Sequence, residues 1–335
     1  MNRIIALLIS TLLPLVFSHH AVAQTQAYQL GMGLKVNDGF TLGGYFSTEL
    51  VQGDKVKEFI VDDVAVMAYG SFDNNFSYLI ELESIEAYAV NFESDTTASN
   101  LPPTIERLYG DYKFSDNVSI RIGKQITSIG YWNLQPINVL RETTSNPKYS
   151  YEMFPKFLTG VDIYGYTSFD DDLTYHVYLQ GSKDIDEDNI NIKIDSHTGF
   201  SLEKEINDKW KMGGSLGKFA EIDDTRTRYF QLNARMDDSR YSLISEAIIN
   251  NQDVRGLGSV KSKAFYLQGE YRVKPRHAVI TRAEYFTDGK TATQDKIAVI
   301  GYSYRPVFPV SLKIEYQWHS DSGDNRLLSS FSVLF

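Results

Sequence analysis

Charge is the chemistry this chain offers most freely. Read on alternate positions, Arg107, Asp111, Lys113, Arg121, Asp162, Arg235, Arg282 and Glu284 fall between apolar neighbours, as do Glu81, Glu83, Lys313 and Glu315. Fixed charges gathered around a cavity select ions; set opposite one another, they pair and stiffen a wall. A second group, Asn138, Arg141 and Glu142, stands in a stretch with no alternation. Nucleophilic and metal chemistry find less support. The chain has no cysteine, which excludes disulfides, thiolate metal sites and Cys nucleophiles. Beyond His19 and His20 the histidines are His176, His197, His277 and His319, and none stands in a nucleophile motif. His176 and His197 share the polar face of their segments, where a base or metal role competes with an ordinary hydrogen-bonded histidine. No Gly-rich phosphate loop precedes a helix and no zinc spacing occurs. The residues argue against an enzyme and ask for no metal or cofactor.

The elements that must position these charges are strands. In 310–318, Val310, Leu312, Ile314, Tyr316 and Trp318 share one face, and Ser311, Lys313, Glu315 and Gln317 the other. In 265–273, Phe265, Leu267, Tyr271 and Val273 oppose Tyr266, Gln268, Glu270 and Arg272. In 190–203, Ile190, Ile192, Ile194, Phe200 and Leu202 oppose Lys193, Asp195, His197 and Glu203. Side chains alternate across a strand, so each segment has one apolar and one polar face. Such segments fall near 39–50, 57–70, 75–88, 105–114, 118–126, 157–169, 172–182, 190–205, 208–219, 226–237, 239–250, 260–273, 276–288, 294–305, 309–319 and 326–335. The count is about sixteen, with fourteen and eighteen as the alternatives, and all are even, as a closed antiparallel barrel requires. The segments are long for soluble strands, and aromatics stand near their ends at Tyr45, Phe46, Tyr69, Tyr88, Tyr304 and Trp318. Counted in order, the even connections are tight and the odd ones generally longer, especially 89–104 and 127–156.

Composition and termini agree. Thirty-three Lys+Arg against 43 Asp+Glu give −10, which argues against a nucleic-acid partner. Aromatics make up 13%, with 22 Tyr and 19 Phe, a profile that suits interfacial girdles. Residues 1–23 read as an export signal: Arg3, the apolar run Ile4–Phe17, then Ala21-Val22-Ala23 before Gln24. That leaves 24–335 as one transmembrane antiparallel β-barrel. The end, Phe331-Ser332-Val333-Leu334-Phe335, resembles the terminal signal read by the outer-membrane barrel assembly machinery, with Phe335 as its contact.

The whole of 24–335 resembles a Gram-negative outer-membrane porin. Gly123-Lys124-Gln125, Gly130-Tyr131-Trp132-Asn133 and Thr143-Thr144-Ser145-Asn146-Pro147 resemble a stretch of porins distantly related to the phosphate-selective type, with Ile129 where a proline often precedes the glycine. The resemblance implies a third external loop, 127–156, folded inward to narrow the pore, with Asn138, Arg141 and Glu142 at the constriction. Pro136 to Thr144 has the marks of a short helix stopped by Asn146-Pro147. The charges named first then form the pore wall, because a charge facing lipid costs ~2–4 kcal/mol near the midplane. The resemblance further implies a homotrimer passing small hydrophilic solutes and ions by diffusion. Gly43, Gly44, Gly213 and Gly214 either flatten a subunit contact or mark bends. The acidic stretches Asp184–Asp188 and Glu221–Asp224 either bind divalent cations that bridge lipopolysaccharide or are solvated loop charge. Arg107, Arg121, Arg235 and Arg282 leave open a substrate-selective channel for phosphate or a carboxylate. A closed barrel acting as adhesin, structural protein or lipid-active enzyme is the other alternative.

Overall fold

The computed structural model describes residues 28–335 apart from 55, 101, 189 and 322. The expected export segment 1–23 lies outside the described residues. In chain order the strands are β1 (Tyr28–Gln29), β2 (Gly33–Asn37), β3 (Phe40–Gly53), β4 (Lys57–Ser71), β5 (Phe76–Asn91), β6 (Thr96–Ser99), β7 (Thr104–Lys113), β8 (Ser119–Ile126), β9 (Phe157–Thr167) and β10 (Asp170–Gln180). There follow β11 (Ile194–Asn207), β12 (Trp210–Glu221), β13 (Arg226–Asp237), β14 (Tyr241–Val254), β15 (Gly258–Lys274), β16 (His277–Asp288), β17 (Thr293–Tyr304), β18 (Val310–His319) and β19 (Arg326–Leu334). β3–β5 and β7–β19 are the sixteen staves of a closed antiparallel barrel. β6 folds back on β5, Ser99 opposite Tyr88. β2 pairs with the start of β3, Leu34 opposite Leu42.

Closure comes from β19 against β3, with Phe331 opposite Thr48 and Leu334 opposite Tyr45. Phe335 continues the ladder, exchanging backbone hydrogen bonds of 2.8 Å with Gly44 in both directions. A Cβ at Gly44 would lie 2.4 Å from the Ala65 carbonyl and 2.8 Å from the Phe335 ring. Gly44 therefore makes room where first and last staves meet.

Alternation sorts the faces. Ser311, Lys313, Glu315 and Gln317 are buried inside the barrel, while Leu312, Ile314 and Trp318 stand exposed outside. No helix of the described residues is long and apolar enough to cross a membrane; the strands carry the apolar outer surface. The tight connections at one end have side-chain reasons. Asp73 accepts the amides of Asn75 and Phe76, each at 2.7 Å. Asn207 accepts those of Lys209 and Trp210. These side chains take the place of a backbone turn bond.

Three features depart from the sequence reading. β11 starts at Ile194, not near 190, and a register shift between Ile194 and Ser196 turns Ile194 inward beside His197. The odd connections are long only at 92–103, 127–156 and 181–193. At 54–56, 222–225, 255–257, 289–292 and 320–325 they are short, because strands such as β15 run on beyond the expected limits. The helix expected over Pro136–Thr144 is only a 3-10 turn at Asn138–Leu140. The α-helix, α1 (Lys148–Glu152), follows Pro147 instead of ending before it. Pro147 holds extended geometry (φ −60°, ψ 140°) as the residue preceding α1.

Candidate functional site: a lumen crossed by segment 127–156

The wall from β3 to β8 carries paired charges, several placed by bulges. Phe46 faces Val64 but Thr48 faces Val61, so Asp62 and Asp63 both oppose Ser47. Ser47 Oγ donates to Asp63 at 2.9 Å and contacts Asp62 at 3.3 Å. A second irregularity, between β5 and β7, puts Glu106 out of register. Arg107 then binds Glu81 while Glu106 takes Lys156 at 3.0 Å. A bulge sets two residues against one and so turns neighbouring side chains to one side. Further along, Arg121 binds Asp111 at 2.6 Å and lies over the Tyr109 ring at 4.3 Å.

The opposite half of the lumen is filled. Ile129, Tyr131, Trp132, Tyr149, Met153 and Phe154 of segment 127–156 pack against inward residues of β10–β16, among them Tyr178, Tyr229, Ile248, Tyr266 and Phe286. This is an apolar core inside the barrel, and a second, smaller one joins Ile137 and Val139 of the segment to Tyr45, Ala65, Met67 and Leu79 of β3–β5. Charged wall groups hold the segment's backbone. Glu246 accepts the amides of Tyr131 and Trp132. Glu315 accepts those of Thr144 (2.9 Å) and Ser145 (3.0 Å), and Glu284 that of Lys148 (2.8 Å). The cations take the carbonyls. Lys313 Nζ donates to Asn138 O at 2.6 Å and Thr143 O at 3.1 Å; Arg305 donates to Val139 O and Arg141 O. Thr144 and Ser330 share a hydroxyl hydrogen bond of 2.8 Å. A segment with little regular structure so has its buried polar backbone satisfied by wall side chains.

Each expected residue has a definite place. Asn138 is buried, giving its carbonyl and side-chain oxygen to Lys313 and contacting Glu49 at 3.3 Å. Arg141 is buried and donates to Gln135 O and Pro136 O of its own segment. Burial lowers its pKa, with Asp63 and Asp62 acting the other way. Burial likewise disfavours the Lys156 cation, but Glu106 and Glu83 outweigh it and hold its pKa above the usual lysine value. Glu142 lies beside Glu270, Arg272 and Arg305, lining a recess of about 630 Å³ at the turn end. Arg107, Asp111 and Arg121 line another there, of about 590 Å³, across Ile137. Arg282 binds Glu284 at 2.7 Å and donates to Thr143 and Ser145 of the segment. Asp162 is buried against His176. Lys113 stands largely exposed at the turn end, paired with Asp116 at 2.6 Å. Arg235 lies beside Asp237 at 3.3 Å near the same end.

Sequence reasoning missed Glu49, Asp62, Asp63, Glu106 and Glu246. Adjacent Asp62-Asp63 inside an apolar strand was a usable signal, since strict alternation would leave one of them facing outward.

A Ser–His–Asp grouping does occur. Ser128 Oγ lies 3.1 Å from His176 Nδ1, and Asp162 Oδ2 lies 2.8 Å from the same nitrogen. A hydrolytic relay needs the serine on one ring nitrogen and the carboxylate on the other. Here both meet Nδ1, and the ring stacks on Tyr164 at 5.2 Å. His197 is buried and bonded to Tyr229 Oη at 3.0 Å.

No family model and no curated protein matches the chain. Solved structures do resemble it. A loop-L8 deletion mutant of OmpT from Vibrio cholerae is 12% identical with a TM-score of 0.68, covering 89% of this chain and 100% of that one. OmpF of Salmonella typhi, in complex with daunomycin, is 12% identical with a TM-score of 0.65, covering 89% and 99%. An anion-selective porin from Comamonas acidovorans is 10% identical with a TM-score of 0.65, covering 88% and 99%. At these identities the likeness shows the fold alone, the closed antiparallel barrel of sixteen strands.

Proposed function

We propose that this chain is an outer-membrane porin of a Gram-negative bacterium, a passive path for small hydrophilic solutes and ions, and not an enzyme. The observation that carries the reading is the wall-anchored segment 127–156, whose aromatic part packs on β10–β16 while Ile137 and Val139 reach Tyr45, Ala65, Met67 and Leu79 of β3–β5, beside the paired charges of β3–β8. Size is limited by the bulk of that segment. Charge preference is set where Asp62, Asp63 and Glu83 face Arg141. The Arg107 and Arg121 cations are already matched by Glu81 and Asp111. That supports a mild preference for cations over a phosphate-type channel. We extend the reading to a homotrimer and to Asn138, Arg141 and Glu142 as constriction residues, with Arg107, Asp111, Arg121, Asp162, Arg282 and Glu284 as pore wall and Lys113 and Arg235 at its turn-end rim. Phe335, paired to Gly44 at the seam, fits the proposed contact with the assembly machinery.

Swelling of liposomes holding the folded protein tests this. Swelling rates should fall steeply with sugar size and show no saturation. Saturable uptake of one anion would favour a selective channel. No swelling with any solute would favour the closed barrel.

A further inference from the structure

Most inward charges have partners; a group of outward cations has none. On the outer face near the loop end, the register sets Thr198, Lys218, Arg228, Asn251 and Lys261 side by side across β11–β15. All five side chains are exposed. Strands stand about 4.8 Å apart, so Lys218 and Arg228 are directly opposed like charges, a destabilising arrangement unless something neutralises it. Among the described residues, neither side chain makes an ion pair or hydrogen bond within the chain, and the same holds for the side chains of Lys261 and Lys263; Lys263 meets the Thr287 hydroxyl through its backbone alone. Asp253 stands opposite Arg226 and offsets that cation. The chain as a whole is acidic, at −10, so this patch runs against its net charge.

The next outward row toward the turn end is apolar: Leu216, Phe230 and Ile249 lie opposite one another, all strongly exposed. Lys263 completes that row beside Ile249. A groove of about 400 Å³ runs along Thr198, Lys218, Arg226, Arg228 and Asp253, with Lys261 just beyond it, opposite Asn251. We propose that this surface binds a phosphate-bearing lipid, with its headgroup on Lys218, Arg228 and Lys261 and its acyl chains along Leu216, Phe230 and Ile249. A soluble anion would use the cations but not the apolar row. The inference rests on the barrel standing in a membrane, not on its conducting.

The test is native mass spectrometry of the folded barrel, counting bound phosphatidic acid against phosphatidylcholine of equal chain length. Wild type should hold phosphatidic acid selectively. Lys218→Gln/Arg228→Gln/Lys261→Gln should weaken it roughly a hundredfold, at about fivefold per cation near a membrane surface. Phosphatidylcholine binding should not change. Removing three turn-end cations, in Arg240→Gln/Lys274→Gln/Arg276→Gln, should leave phosphatidic acid bound. Heat-shifted gel migration confirms that each variant is folded, and Lys218→Gln alone, about fivefold weaker, serves if the triple variant is not. Equal losses in both triple variants, or none in the loop-end one, would overturn the site. So would displacement of the lipid by inorganic phosphate at equal concentration, which would mark a free-anion site.

Discussion

Glu246 carries two backbone amides of the inserted segment on one carboxylate, from a position buried among Tyr149 and Tyr266. Hydrogen bonds to a charged group contribute about 1.5–3 kcal/mol, and stranded amides cost more than the bond they lose. Glu246→Ala should therefore loosen the segment. Single-channel current should become noisier and the thermal midpoint should fall, with the barrel still closed by gel migration. Gly130 makes a second test. Its φ is +68°, and a Cβ there would lie 2.8 Å from the Glu246 carboxylate. Gly130→Ala should reproduce the Glu246→Ala noise through strain and displacement. Quiet, wild-type current from both variants would show that these contacts do not hold the segment.

At the scale of elements, the segment and the wall act as separable parts. Thr144 and Ser330 touch across them, their hydroxyl oxygens 2.8 Å apart. The chain is free of cysteine, so Thr144→Cys/Ser330→Cys offers one pairing. A disulfide needs Cβ atoms about 3.5–4.5 Å apart, and sulfurs replacing two oxygens already in contact start from close range. The bond should form on oxidation, shift gel migration and leave conductance near the wild-type value; failure to cross-link in the folded barrel would place the segment elsewhere. At the seam, Gly44→Val should lower folding yield severely, read as the fraction of heat-modifiable protein, since its side chain would meet the Ala65 carbonyl and the Phe335 ring. The staves themselves were legible because the lipid-facing rule is strong: one misplaced charge costs enough to enforce alternation along every strand. That rule is silent where a stave faces protein on its inner side. Ile244, Ile248 and Tyr266 face inward because segment 127–156 meets them there, and alternation alone has no term for that contact. Bulges escape for a related reason. One extra residue at Asp62 or Glu106 reverses parity beyond it, and only the partner strand's register reveals where. The segment's own path is set by side chain–backbone bonds from Glu315, Lys313 and Arg305, which leave no periodic trace in sequence.

For the whole molecule, the lumen is crossed by segment 127–156, with a large apolar core toward β10–β16 and a smaller one, built on Ile137 and Val139, set among the charges of β3–β8. A homotrimer should appear as a threefold mass by native mass spectrometry in mild detergent, and a stable monomer would remove the trimer without touching the pore. The most direct measurement is current through folded wild-type protein in a planar bilayer under a salt gradient, repeated with Asp62→Asn/Asp63→Asn. The account predicts steady, stepwise conductance with a reversal potential of the sign for cations, moving toward zero in the double variant. Lasting silence from folded, heat-modifiable protein would contradict the pore. An anion-signed potential unmoved by the two substitutions would contradict the charged passage along β3–β8.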